Sequence, residues 1–374
     1  MKIRLASKNR GIALIIAMIA VAFLSWMAIE LAGRMKVETR LAMNADSEQE
    51  MLWMGRGGVE TARWILSEEM TIPNEQYDAL NQIWAGGPGG MGETNSALSG
   101  FSLNNIPLGR GQFSLKIIDN ERKVNINTAP PMVIQQALTV MGVDANSIST
   151  VADSIGDWID ADDAPRAAGA ESDYYQGLTP AYYAKNAPID DLSELLLVKG
   201  VTLDMYLGPA APNHAPAAFQ HKLGFGAAPG QEPDYPFGLR DVFTPLSSGR
   251  ININTADANT LQVLPGIDAQ TAADIIKMRS GPDGVDGTAD DMPFTSVGQL
   301  QAAGVSPQVI GQIGGLCDVR SRTFEVHVTA QIGGFQREYV AILFRNSGTD
   351  IQVLSFGWAG EYGGAPAPSA PPGN

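Results

Sequence analysis

Hydrophobic positions along the chain fall into three regimes. The first is an uncharged apolar run over residues 12–29, at the threshold for crossing a ~30 Å hydrocarbon layer, which takes about 20 residues of helix. Residues 30–69 contain no Pro and carry Leu31, Met35, Leu41, Ala45, Leu52, Val59, Ala62 and Ile65, so the helix is predicted to continue as a stem. Gly55, Gly57 and Gly58 are expected to loosen or kink it partway. Residues 71–110 are rich in Gly, Pro and Asn and read as loop. The second regime is alternation. Phe113, Leu115, Ile117 and Val124 predict a strand pair around Asn120, and residues 323–331, 339–344 and 351–356 predict an antiparallel meander. Between these β regions lies the third regime, a long stretch of helical patterning. Residues 361–374 read as a disordered Gly/Pro/Ala tail.

The helical stretch contains an internal duplication. Lys123-Val-Asn-Ile-Asn-Thr-Ala129 recurs as Arg250-Ile-Asn-Ile-Asn-Thr-Ala256, and the segment from Pro188 to Thr202 is similar to that from Pro293 to Ser306. Thr128 and Thr255 are placed to cap helix starts. Around Pro265-Gly266-Ile267-Asp268 the second unit resembles the helix-hairpin-helix modules of competence DNA receptors. In that motif a Gly-x-Gly hairpin lets backbone N–H groups approach a phosphate. Here Asp268 replaces the second Gly and puts a carboxylate where the phosphate would lie, and only Lys277 and Arg279 are basic nearby. The first unit shows no recognisable hairpin. The motif is therefore expected to serve packing, with DNA binding as the alternative.

Charge sharpens this. The 374 residues carry a net charge of −15, which disfavours nucleic acid as a partner. The sign reverses at the start, where Lys2, Arg4, Lys8 and Arg10 precede the apolar run, so the N-terminus is expected to stay cytoplasmic and the bulk to be exported. Three fates of this segment are open: cleavage after Ala20-Val21-Ala22, an uncleaved anchor, or cleavage between Gly11 and Ile12. The single cysteine, Cys317, excludes an intramolecular disulfide and reads as a small core residue. His214, His221 and His327 fall in no metal-ligand spacing, and no nucleophile or phosphate-loop motif is present, so no catalysis is expected.

Two acidic loops occupy related positions in the duplicated units. Asp283, Asp286, Asp290 and Asp291 lie among three glycines. The other loop holds Asp157, Asp160, Asp162, Asp163, Glu171 and Asp173. Clustered carboxylates repel unless neutralised, and Ca²⁺, which takes 6–8 oxygen ligands at ~2.3–2.6 Å, suits flexible loops of this kind. Calcium is the expected cofactor, more strongly at the 283–291 loop, although neither spacing is an EF-hand.

The leader, Arg10-Gly11 before Ile12-Ala13-Leu14-Ile15-Ile16, resembles that of type IV pilin-like proteins. With Gly57-Gly58-Val59-Glu60, Asp157-Trp-Ile-Asp160 and both Asn-Ile-Asn-Thr-Ala segments, nearly the whole chain resembles the K-type minor pseudopilins of type II secretion systems. The resemblance implies an α+β fold: a pilin-like N-terminal helix on a small antiparallel sheet, with a large inserted all-α domain containing two helix-hairpin-helix-like repeats. It divides the chain into a leader (1–11), a transmembrane stem (12–70), a first pseudopilin part (71–127), an inserted α-domain (128–318; units about 123–210 and 250–318), C-terminal strands (319–360) and a tail (361–374). It further implies processing between Gly11 and Ile12 by a prepilin peptidase and methylation of the new terminus. The implied partners are minor pseudopilins I and J, other pseudopilins and an inner-membrane assembly platform. Calcium binding is also reported for this family. Most pilin-like proteins carry Glu at mature position five, where this chain has Ile16. A carboxylate with no partner in hydrocarbon is costly, so Ile16 suits a filament's topmost subunit.

Overall fold

The computed structural model describes residues 10–73, 75–90, 92–93, 96–211 and 235–359. The expected disordered tail, the leader before Arg10, His214 and His221 lie outside the described residues. Helix α1 (Arg10–Glu69) is unbroken over its whole length. Its early part, Leu14–Thr39, contains an 18-residue stretch of mean hydropathy 2.3 with no buried residue, so it is long and apolar enough to cross a membrane. Its last five turns bury Met54, Val59, Ala62, Ile65 and Leu66 against a sheet.

The helix runs without a break through the three stem glycines, and these let it lie close to the strands. A Cβ on Gly58 would stand 2.4 Å from Val328 Cγ1, and one on Gly55 2.6 Å from Tyr339 Cδ2. The helix keeps its hydrogen-bond ladder because packing of this face outweighs the roughly 1 kcal/mol propensity cost of each Gly.

The sheet has the order β1-β2-β7-β8-β9 and is antiparallel throughout, from β1 (Ile106–Leu108) and β2 (Gly111–Asp119) to β7 (Thr323–Ile332), β8 (Phe335–Ser347) and β9 (Asp350–Trp358). Phe113, Leu115 and Ile117 face Ala330, Val328 and Val326, so the inward-facing alternation of two distant strands meets in register. The β2 hairpin partner is β1, turning at Gly109, and not a strand at Val124 as the alternation suggested. Asp119 pairs with Phe324, so the chain leaves the sheet after β2 and returns to the adjacent position 204 residues later as β7 begins at Thr323. Everything between is one excursion from a strand end, with its own hydrophobic core.

That insertion is two versions of one unit. The first runs through β3 (Val124–Asn125), α2 (Pro131–Met141), α3 (Ala145–Ile159), α4 (Ser172–Gln176), α5 (Leu203–Leu207), α6 (Leu239–Val242) and β4 (Phe243–Thr244). The second has β5 (Ile251–Asn252), α7 (Ala258–Gln262), α8 (Ala269–Arg279), α9 (Pro307–Ile313) and β6 (Cys317–Asp318). Each closes with a two-residue parallel pair, β3 with β4 and β5 with β6, so the first unit extends to Thr244 rather than ending near 210.

The repeated Asn-x-Asn has a plain physical role. Asn125 Oδ1 accepts from the backbone N–H of Asn127, and Asn252 Oδ1 accepts from that of Asn254, which turns the chain. The second Asn of each pair then clamps the later landmark. Asn127 accepts from Ile189 N–H and donates to Ile189 C=O; Asn254 does the same to Phe294. Thr128 and Thr255 do not cap helices. The α7 cap is Asp257, and the Thr255 hydroxyl donates to buried Asp119 instead.

Four tight hairpins follow one rule, a left-handed Gly, an apolar residue, then a helix cap. They are Gly142-Val143-Asp144, Gly200-Val201-Thr202, Gly266-Ile267-Asp268 and Gly304-Val305-Ser306. The first unit thus does have a hairpin equivalent to Pro265–Asp268, between α2 and α3.

Candidate functional site

The first acidic loop follows α3 and is drawn inward by Asp157, whose side chain is fully buried. Arg166 covers Asp157 at 2.8 Å and Asp160 at 2.8 Å. The Asp162 carboxylate accepts from Ala164 N–H, and that of Asp163 from Ser172 N–H and Asn186 Nδ2. One carboxylate oxygen each of Asp160, Asp162 and Glu171 lies within 4.8 Å of the others. Two oxygens on opposite sides of an ion bound at ~2.4 Å stand about this far apart. Glu171 is 4% exposed, and neither of its oxygens has a hydrogen-bond partner. Burial first, then the charges of Asp157 and Asp160, push its carboxyl up to about 7. Burial also raises Asp160 against the pull of Arg166. Such a group needs a proton or a cation. Asp173 is exposed and lies outside this convergence.

The second loop is arranged differently. Arg279, 4% exposed, grips Asp286 through Nε at 3.0 Å and Nη2 at 2.6 Å, while Nη1 donates to the carbonyls of Ile253 and Ala256. Asp290 accepts from Asp283 N–H and the Thr288 hydroxyl, which hold its carboxyl below the usual range. Asp291 accepts from Gly287 N–H and Thr288 N–H, and Asp283 from Val285 N–H. Burial raises Asp291 despite these donors. The four carboxylates are thus tied up separately and do not converge. In the loop favoured from spacing, a side chain, Arg279, already supplies the counter-charge for one of the four carboxylates, Asp286. The signal in the sequence was Arg279 itself, the last residue of the helix before the loop.

The hairpin at Gly266 also turns its groups inward. Asp268 accepts from Thr271 N–H at 2.8 Å and so occupies the start of α8. Cys317 is buried in β6, and burial pushes its thiol up to about 12, which suits a core residue. At the other end, Ile12 and Ile16 project from the exposed apolar part of α1, and Gly11 lies in its first turn.

Comparison with known proteins agrees with this layout. Residues 100–208 match the family described as type II secretion system (T2SS), protein K, and residues 247–316 match the helix-hairpin-helix motif. The type II secretion system protein K of Pectobacterium carotovorum is 26% identical over 54% of this chain and 61% of its own length, so the match spans about three fifths of that relative. That of Pseudomonas aeruginosa is 24% identical over 96% of both chains. Among solved structures, a chain of the GspK-GspI-GspJ complex from the enterotoxigenic Escherichia coli type 2 secretion system aligns with a TM-score of 0.58 at 19% identity. That alignment covers 85% of this chain and 98% of the other, which establishes the shared fold.

Proposed function

We propose that the chain, which matches the type II secretion system protein K family, caps the pseudopilus tip together with minor pseudopilins I and J. The observation carrying this reading is a single helix with two different halves. Its first turns, residues 12–29, carry no charge and offer almost only apolar side chains to lipid or to neighbouring stems, and its last turns are fixed to a sheet. Prepilin peptidase cleaves between Gly11 and Ile12, the N-terminus starts in the cytoplasm, and the folded bulk stands in the periplasm on the inner membrane. Other pseudopilins then extend the filament from below through the assembly platform. The insertion at the β2–β7 end widens the top, so no further subunit fits above in the same register. Ile16 leaves no carboxylate unpaired in hydrocarbon at a position with no neighbour above it. The role is structural, supporting export of folded proteins, and involves no catalysis by this chain.

Co-purification from membranes tests this. Wild-type protein should bring down pseudopilins I and J, and Ile16→Glu should weaken the complex and slow pilus initiation. Unchanged initiation by Ile16→Glu, or a mature terminus at Phe23 by mass analysis, would overturn the reading. A calcium ion is assigned in the same proposal to Asp160, Asp162 and Glu171, because the orphaned buried carboxylate of Glu171 fits a divalent cation. Held there, the ion would supply the positive charge that Arg279 supplies in the second unit.

A further inference from the structure

We propose that Glu69, Glu75 and Glu93 form a second, separate calcium site at the foot of the stem helix. Glu69 is the last residue of α1, and the other two come from the loop that follows it. One carboxylate oxygen of each lies within 4.8 Å of the others, and all three residues are buried. Two of the carboxylates are aimed by the backbone. Glu93 accepts from Ile83 N–H at 3.1 Å and from Gly90 N–H, and Glu75 accepts from Gly92 N–H at 2.7 Å. Gly90 and Gly92 are required by this arrangement, because a Cβ on either would stand 2.6 Å and 2.8 Å from Glu75 Oε1.

Glu69 completes the cluster and is the independent sign of a ligand. It is 2% exposed and neither oxygen has a hydrogen-bond partner, although it points into a group of two fixed carboxylates. Burial first, then close carboxyl–carboxyl contact with Glu93 and the charges of Glu93 and Asp78, push its carboxyl up to about 10, against a weaker pull from the Trp84 N–H. Tyr77 beside the cluster is pushed up to about 12 by burial and then by the same carboxylates. Three buried carboxyls need neutralisation, and hard oxygen donors without nitrogen or sulfur select a calcium-like ion. Mg²⁺ is disfavoured because it retains several waters, for which a buried cluster leaves little room. The ion would fasten the end of the stem to the loop carrying Trp84, which packs edge-on against Phe324 of the sheet.

The test uses the full-length chain in detergent micelles, carrying Asp160→Asn and Glu171→Gln so that the loop of the first unit is silent. Equilibrium dialysis with calcium alone should still find about one ion per chain. Adding Glu69→Gln, which keeps shape and removes the charge, should abolish that ion, and Glu93→Gln should weaken it at least tenfold. Terbium luminescence excited through tryptophan gives a readout that leaves the carboxylates intact. Trp84→Phe in the same background should remove most of the emission while calcium binding persists. Overturning results are a silenced background that binds no calcium, binding that survives Glu69→Gln, or emission indifferent to Trp84→Phe. Loss of the first-loop site alone leaves each of these outcomes readable.

Discussion

The two units of the insertion start from the same backbone plan and neutralise their acidic loops in opposite ways. In the second, the guanidinium of Arg279 reaches Asp286 and two backbone carbonyls from the end of α8, so the innermost carboxylate is paired within the chain while the other three are held by N–H and hydroxyl donors. In the first, Arg166 arises from the loop itself, is 41% exposed, and reaches only Asp157 and Asp160, leaving Glu171 buried with nothing to pair with. Duplication conserves the frame, meaning the Asn clamps, the left-handed glycines and the parallel closing pairs. It leaves the charge-balancing element free to become either a side chain or a bound ion. An acidic loop is therefore judged by what faces it, and counting its carboxylates misleads.

The strongest way to break this contrast is to remove the internal cation. Arg279→Met should destabilise the protein by about 3–5 kcal/mol, because it strands Asp286 and two buried carbonyls in one step. Denaturant unfolding should show this loss equally with calcium and with chelator, since the second loop offers no converging ligands. Recovery by calcium would mean that the two loops are interchangeable after all. Next in size are the clamps. Asn254→Ala leaves the buried Phe294 N–H and C=O without partners and should cost about 3 kcal/mol. Asn127 is itself part-exposed where Asn254 is buried, so water can replace its amide, and Asn127→Ala should cost about half as much by the same denaturation measurement.

These features differ in how visible they are in a bare sequence. The duplicated Asn-x-Asn was legible because the clamp needs that amide at that spacing, and the meander was legible because strands with one buried face must alternate. The hairpin of the first unit was hidden because Met141 stands where the second unit has Pro265. What the turn demands is only the left-handed Gly142 and the capping Asp144. Gly55 and Gly58 were misread because helix propensity is local, whereas their purpose depends on Tyr339 and Val328, far along the chain. The acidic residues of both loops were legible as a set. How far each loop is paired within the chain was not, since that turns on where Arg279 and Arg166 reach.

Calcium itself sharpens the comparison with an effect of about 2.7 kcal/mol when the ion is at a hundred times its dissociation constant. Glu171→Gln should behave with opposite signs under two conditions. Without calcium it should raise the melting temperature, because it removes a buried carboxylate that repels its neighbours. With calcium it should lose the part of the increment that belongs to the first unit. Asp283→Asn with Asp286→Asn should leave the calcium increment intact and lower stability at all calcium levels, through the broken Arg279 pair. If the increment instead disappears in that double variant and survives in Glu171→Gln, the assignment of the ion is reversed.

The smallest effect separates the two hairpins, whose glycines share a backbone conformation and differ in what stands above them. Gly142 has φ +83° and Gly266 φ +80°, so an alanine at either position pays about 1 kcal/mol for left-handed backbone. A Cβ at Gly142 meets nothing within 4 Å, whereas at Gly266 it would stand 2.8 Å from Val309 Cγ2 on α9. Val309 is only half-buried and can give way, so the added cost should be about 1 kcal/mol, the low end for overpacking. Gly266→Ala should therefore lie about 1 kcal/mol below Gly142→Ala in chemical denaturation. A Gly266→Ala, Val309→Ala double variant should bring the two hairpins level, once the separate cost of Val309→Ala is subtracted. Equal costs for the single glycine variants would mean that α9 does not rest on the hairpin. The second unit would then owe its order to Arg279 and Asn254 alone.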